Sequence, residues 1–142
     1  MGQEKKSDWV PPVNFYFQVF FIKKSGGSGI KVSFQEVSGL GWDMNADKKV
    51  SHPNLVLKRP LGPLDQEFTK WVHLDPATAN YPKENIHDLV IKLLDKEGKP
   101  LAVWFVAHAH PVKYTIGDMT AVESKILMET VEISYQRLER KQ

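Results

Sequence analysis

Alternation at every second residue constrains this chain more than any other feature. Phe15, Phe17, Val19 and Phe21 alternate with Tyr16, Gln18 and Phe20, and Ile30, Val32 and Phe34 alternate with Lys31, Ser33 and Gln35. Successive side chains of an extended strand point to opposite faces, so such runs bury one face and cannot sit still as helices. The pattern returns in Leu89, Ile91 and Leu93, and in Leu101, Val103 and Phe105. It returns again from Lys125 to Leu138, where Leu127, Val131, Ile133 and Tyr135 oppose Thr130, Glu132, Ser134 and Gln136. Strands are predicted over Asn14–Ile22, Ile30–Val37 and Asn54–Lys58, with a bulge or strand end near Glu36, where the apolar parity changes. The stretch from Trp42 to Lys49 suits either a short strand or a loop.

The connections support the same reading. Ser25-Gly26-Gly27-Ser28-Gly29 is a flexible hairpin link, and Asp95-Lys96-Glu97-Gly98-Lys99 is a short polar turn with glycine at its left-handed position. One helix interrupts the strands. Gly62-Pro63-Leu64-Asp65 reads as its start, because proline suits the first helical position and an anion suits the first turn. Leu64, Phe68, Trp71 and Val72 then form one apolar stripe, and Asp75-Pro76 and Tyr81-Pro82 stop it. Runs of strands with a single helix predict a mainly β fold: two antiparallel sheets packed as a barrel or sandwich, with one flanking α-helix. The chain has 142 residues, which suits one domain over residues 13–142 behind a flexible N-terminal arm of residues 1–12.

Composition removes several function classes. There is no cysteine, so disulfide scaffolds, thiolate zinc sites and cysteine nucleophiles are excluded. Net charge is +2, from 19 basic and 17 acidic residues that are interspersed along the chain, unlike the one-sided basic patch of a nucleic-acid binder. The basic segment from Arg137 to Lys141 is interrupted by Leu138 and Glu139 and reads as a solvated charge run. No stretch has the length and apolarity of a membrane helix, and the first residues lack the apolar centre of a signal peptide. The chain is therefore expected to be made in the cytoplasm, without a membrane anchor.

Candidate chemistry is thin. On one strand His108 and His110, two residues apart, would share a face, a spacing compatible with zinc. A third ligand is not anchored, since Asp118 and Glu123 carry no spacing argument. A small ligand- or metal-binding β-barrel built on His108 and His110 is the alternative reading. Ser25–Gly29 lacks the phosphate-loop pattern, and Ser38-Gly39-Leu40-Gly41 is not a nucleophile elbow. No catalytic residue, cofactor or metal is expected. Among the tryptophans, Trp71 belongs to the helix stripe and reads as core. Trp9, Trp42 and Trp104 suit interface anchoring better than ligand stacking.

Taken in order, several phrases resemble the phage tail-tube family, which includes the inner-tube subunits of contractile injection systems. They are Pro11-Pro12-Val13-Asn14-Phe15-Tyr16-Phe17, Phe34-Gln35-Glu36-Val37-Ser38-Gly39-Leu40 and Pro53-Asn54-Leu55-Val56-Leu57-Lys58-Arg59. They continue with Phe68-Thr69-Lys70-Trp71, Ala109-His110-Pro111-Val112-Lys113-Tyr114, and Glu123-Ser124 leading into Met128-Glu129-Thr130-Val131-Glu132-Ile133-Ser134-Tyr135. The resemblance covers most of the chain from Pro11 to Leu138. It implies a subunit of hexameric rings that stack into a hollow tube driven by a contracting sheath. It implies as partners a homo-hexamer, adjacent rings, the spike or baseplate hub and sheath proteins. It also implies assembly into a phage-tail-like particle. The strands from Asn14 and from Lys125 would belong to the sheets that join between neighbours and line the lumen. Residues expected at inter-subunit contacts are Trp9, Trp42, Asp43, Lys48, Lys49, Trp104, Glu132 and Tyr135. Tube-forming members usually carry a long glycine-rich hairpin between the Ser-Gly-Leu and Asn-Leu-Val-Leu-Lys-Arg phrases. Here only Gly41 to Pro53 fills that space. The trimmed arm points to a tube-initiator ring on the baseplate or spike, with an ordinary tube protein as the alternative.

Overall fold

The computed structural model describes residues 15–22, 29–62, 67–72, 87–117 and 127–142. The expected N-terminal arm, Trp9, the Ser25–Ser28 part of the first link and the proline-marked end of the helix lie outside them. Among the described residues, ten strands and one helix follow in the order β1 (Tyr16–Ile22), β2 (Ile30–Phe34), β3 (Glu36–Ser38), β4 (Asp43–Met44), β5 (Val50–Ser51), β6 (Leu55–Pro60), α1 (Glu67–Val72), β7 (His87–Leu94), β8 (Pro100–Ile116), β9 (Met128–Ser134) and β10 (Arg137–Arg140).

Every pairing between these strands is antiparallel. Sheet I runs β2-β1-β7-β8-β10 and sheet II runs β8-β9-β6-β3, so β8 belongs to both. Its first half lies between β7 and β10, and its second half pairs with β9 from His110 onward. The crossing is made at a bulge. The register against β7 slips between His87 and Leu89, and His108 takes φ 57° while its backbone N–H donates to Asp88 Oδ1 at 3.1 Å. An extra residue in one strand bends it and strengthens its twist, which lets one strand turn a corner.

A second corner lies at the expected break near Glu36. β2 ends at Phe34, and Gln35 N–H leaves the sheet I ladder to donate to the Lys58 carbonyl at 2.9 Å. β3 then pairs with β6 in sheet II. The result is a sandwich with two shared corners, and its sheets do not close into a barrel. The long terminal strand divides at Tyr135 and Gln136 into β9 and β10, because its partner β8 turns its corner there.

The alternation read from sequence sets the core. Val19, Phe21, Leu89, Ile91 and Val106 from sheet I face Leu55, Leu57, Val131 and Ile133 from sheet II, all at 2% exposure or less. On β8 the inward residues are Ala102, Trp104 and Val106, so Leu101, Val103 and Phe105 face outward. α1 closes one opening of the sandwich. Phe68 and Trp71 pack on Phe21 with ring centroids 5.2 and 5.0 Å away, as the helical stripe predicts, and Phe68 also meets Phe34. Each such fully buried aromatic or aliphatic side chain contributes about 1.5–3 kcal/mol.

Candidate functional site

Beneath α1 the core contains charge. Arg59 and Glu129 sit opposite each other on β6 and β9 and point inward, only 8% and 3% exposed. Arg59 Nε donates to Glu129 Oε2 at 2.6 Å, Gly62 N–H to the same oxygen at 3.0 Å, and Tyr114 O–H to Glu129 Oε1 at 2.7 Å. Arg59 also donates to Thr69 Oγ1 on α1 at 3.3 Å, and its guanidinium lies 4.7 Å from the Phe68 ring centre. Burial, then the Glu129 hydrogen bond and charge, push the Tyr114 hydroxyl up to about 12, with Arg59 opposing. Both carboxylate oxygens are thus committed to internal donors, which leaves the cluster a structural strut between sheet II and the helix.

The histidine pair gathers no third ligand: among the described residues no three His, Cys, Asp or Glu side chains form a metal site. His108 stands at the bulge and is exposed, while His110 is half-buried and burial lowers its pKa. Both alternate with the buried Ala107, Ala109 and Pro111 along β8.

The surface features are of another kind. The segment between β3 and β6 folds as a small ribbon, β4 paired with β5 through Asp43–Ser51 and Met44–Val50. Asn45 caps its turn, accepting from the backbone N–H of Lys49 at 2.9 Å, and Lys48 takes φ 61°. Period-two alternation gives the ribbon two unlike faces. Trp42, Met44 and Val50 share one, at 62%, 52% and 55% exposure, while Asp43 and Lys49 stand on the other. The root is clamped. Gly39 takes φ +89° and passes so close to Asn54 that a Cβ there would overlap the Asn54 carbonyl. The Tyr135 hydroxyl donates to the Gly39 carbonyl at 2.8 Å, and His52 Nδ1 meets the Gly41 carbonyl at 2.8 Å, its ring 4.9 Å from that of Tyr135. Burial raises the Tyr135 pKa, with the Gly41 hydrogen bond opposing.

Sheet II presents a mainly polar outer face: Lys58 on β6, Thr130, Glu132 and Ser134 on β9, and Lys113 and Thr115 on β8, with Val56, Pro60 and Met128 among them. Glu132 accepts from Asn54 Nδ2 at 3.4 Å and lies 3.8 Å from Lys113 Nζ, a surface ion pair worth about 1 kcal/mol or less.

Of the residues singled out in the sequence, Trp42, Asp43, Lys48 and Lys49 lie together on the ribbon or at its base, none of them buried. Glu132 stands on the polar face of sheet II. Tyr135 is 7% exposed and holds the ribbon's root from inside. Trp104 packs against the core with the Arg140 guanidinium 5.7 Å from its ring, remote from the ribbon in the topology. Sequence reasoning missed Met44, Val50, His52 and the Gly39–Asn54 crossing. The alternation of Trp42 and Met44 with Asp43 and Asn45 was the available signal, but two-residue strands are too short to stand out.

The sequence profile of the family described as T4-like virus tail tube protein gp19 matches residues 13–139. No curated protein matches the chain in sequence. Solved structures do share the fold. A chain of the anti-feeding prophage baseplate is similar at 23% identity and TM-score 0.69, over 93% of this chain and 96% of that one. A chain of the sheath-tube complex of an extracellular contractile injection system, PVC, is similar at 18% identity and TM-score 0.68, over 98% and 99%. Hcp1 from Salmonella typhimurium is similar at 12% identity and TM-score 0.58, over 89% and 86%.

Proposed function

The chain belongs to the T4-like virus tail tube protein family, and we propose that it assembles as hexameric rings forming the inner tube of a contractile injection system or phage tail. The family is one of structural tube proteins, so the role is structural and not catalytic. The observation that carries the proposal is sheet II. Its outer face is mainly polar, while its inner face is sealed into the core. It also ends in strands, β3 on one side and the second half of β8 on the other, that pair with a single neighbour among the described residues. A polar face suits a water-filled lumen. Two open edges suit closure into a ring, which removes the hazard of unpaired ladders. Chains of similar fold come from baseplate, sheath-tube and cap complexes. The short β4–β5 ribbon, with two residues in each strand, favours the first ring on the baseplate or spike. Sheath, hub and adjacent rings are the partners this reading supplies, with synthesis in the cytoplasm before assembly into the particle. Among the described residues no helix is long and apolar enough to cross a membrane.

Negative-stain microscopy of concentrated protein tests the ring, with sixfold rings expected and persistent monomers refuting it. Gold labelling of purified particles tests the placement: label confined to the spike end supports the initiator, and label along the whole tube makes this an ordinary tube subunit.

A further inference from the structure

The two sheets part at Gln35, and the wedge between them is not filled to its mouth. From the Gln35–Lys58 hydrogen bond, β2 leads back through sheet I while β6 leads on through sheet II, so the two strands diverge. α1 enters the gap from the side. Phe68 meets Phe34 and Phe21 at ring-centre distances of 5.4 and 5.2 Å, and the Arg59 guanidinium lies 4.7 Å from its ring centre. Beyond Phe68 the wedge stays open as a cavity of about 610 Å³. Small-molecule sites commonly measure roughly 300–1,000 Å³ and combine apolar walls with a few polar groups. The apolar wall here is Ile30, Val32, Pro60 and Phe68, and the charged groups are Lys31 and Arg59.

The order of these groups from floor to mouth gives a ligand its polarity. Val32 and Phe68 are buried at the floor, Ile30 is half-buried, and Lys31 is exposed. Among the described residues the lining contains two cations and no carboxylate. Arg59 already donates to Glu129 and Thr69, so its charge is met inside the core. Among the described residues no carboxylate pairs with Lys31. A ligand with an apolar body and one negative end matches this order, the body toward Phe68 and the charge toward Lys31. A single negative charge matches the single mobile cation.

We propose that the wedge between β2, β6 and α1 is a binding site for a small amphipathic carboxylate, its apolar body against Val32, Pro60 and Phe68 and its carboxylate paired with Lys31. The site uses neither the outer face nor the open edges of sheet II. It is therefore a second property of the chain, independent of the tube-ring reading.

Calorimetric titration of the full chain with decanoate and with decanol, each below the concentration at which it aggregates, tests the site. One decanoate per chain is expected, bound more tightly than decanol. Lys31→Glu is expected to weaken decanoate roughly tenfold, because attraction becomes repulsion, and to leave decanol within about twofold. Lys96→Glu, in the exposed β7–β8 turn, changes neither. Val32→Phe fills the floor of the wedge and weakens both. Absence of saturable decanoate binding, or binding that neither Lys31→Glu nor Val32→Phe weakens, overturns the site. Where Val32→Phe lacks a cooperative thermal transition, Lys31→Glu decides alone: equal loss of both ligands, or no loss of either, overturns the site. Ring formation seen by microscopy is read separately, so a failed titration leaves the tube-ring reading standing.

Discussion

At Gly39 a left-handed backbone and a steric constraint coincide. The residue takes φ +89°, and the chain crosses so near Asn54 that even a methyl group would strike a carbonyl oxygen that cannot move without shifting β6. Gly98 has a similar φ of +86° in the β7–β8 turn, but an added methyl there would meet only the Tyr16 hydroxyl, at an ordinary contact distance of 3.8 Å. The two glycines therefore separate conformational from steric cost. Gly39→Ala is expected to cost about 3 kcal/mol or more, and Gly98→Ala about 1 kcal/mol. Thermal or urea denaturation of the two variants measures the gap, and equal costs would contradict the crossing. The sequence announced Gly98 through its turn composition. It announced Gly39 only through resemblance, because a contact with Asn54 depends on how two distant segments cross.

Among the elements, the strut joining β6, β9, β8 and α1 is where charge and packing meet. Glu129 serves Arg59, Gly62 and Tyr114 at once. Removing the carboxylate leaves a buried guanidinium uncompensated, so Glu129→Ala is expected to cost about 3–5 kcal/mol. Tyr114 adds a pH signature. Its folded pKa is raised to about 12 from 10.0, so its contribution is complete below pH 10 and is lost as pH rises through about 12. Melting curves between those values should fall more steeply for the unsubstituted protein than for Tyr114→Phe, and parallel curves would refute the coupling. None of this was legible beforehand. Glu129 sits on an inward position of a strand whose alternation was read correctly, whereas Arg59 lies one residue past the expected end of its strand at Lys58, and pairing the two needs the β6–β9 register, which no local signal sets. The alternation itself was legible: Val19, Phe21, Leu89, Ile91, Val131 and Ile133 all face the core as read. The bulge at His108 was not, since the register slip against β7 between His87 and Leu89 is set by how two distant strands pair and not by any local signal.

For the whole molecule, the sandwich buries its apolar residues in one cluster that spans both sheets and the helix. Val131 is 2% exposed at its middle, between Leu57 and Tyr114 in the strand register. Val131→Asp places a charge with no partner in that cluster and should abolish the folded state, read as loss of a cooperative thermal transition. A folded, assembling variant would mean that the core is drawn wrongly. The fold class followed from the alternation because two sheets are the simplest way to hide so many one-sided strands. The shared corners did not follow, because they are decided by the bulge at His108 and the kink at Gln35.

β8 is seventeen residues long and is a member of both sheets. Two layers joined only by side-chain packing can slip past each other under load. Here a continuous covalent chain runs from one layer into the other, flanked along its length by ladders of hydrogen bonds. A displacement of sheet I is therefore coupled to sheet II through a continuous backbone and the ladders on either side of it, with the crease at His108.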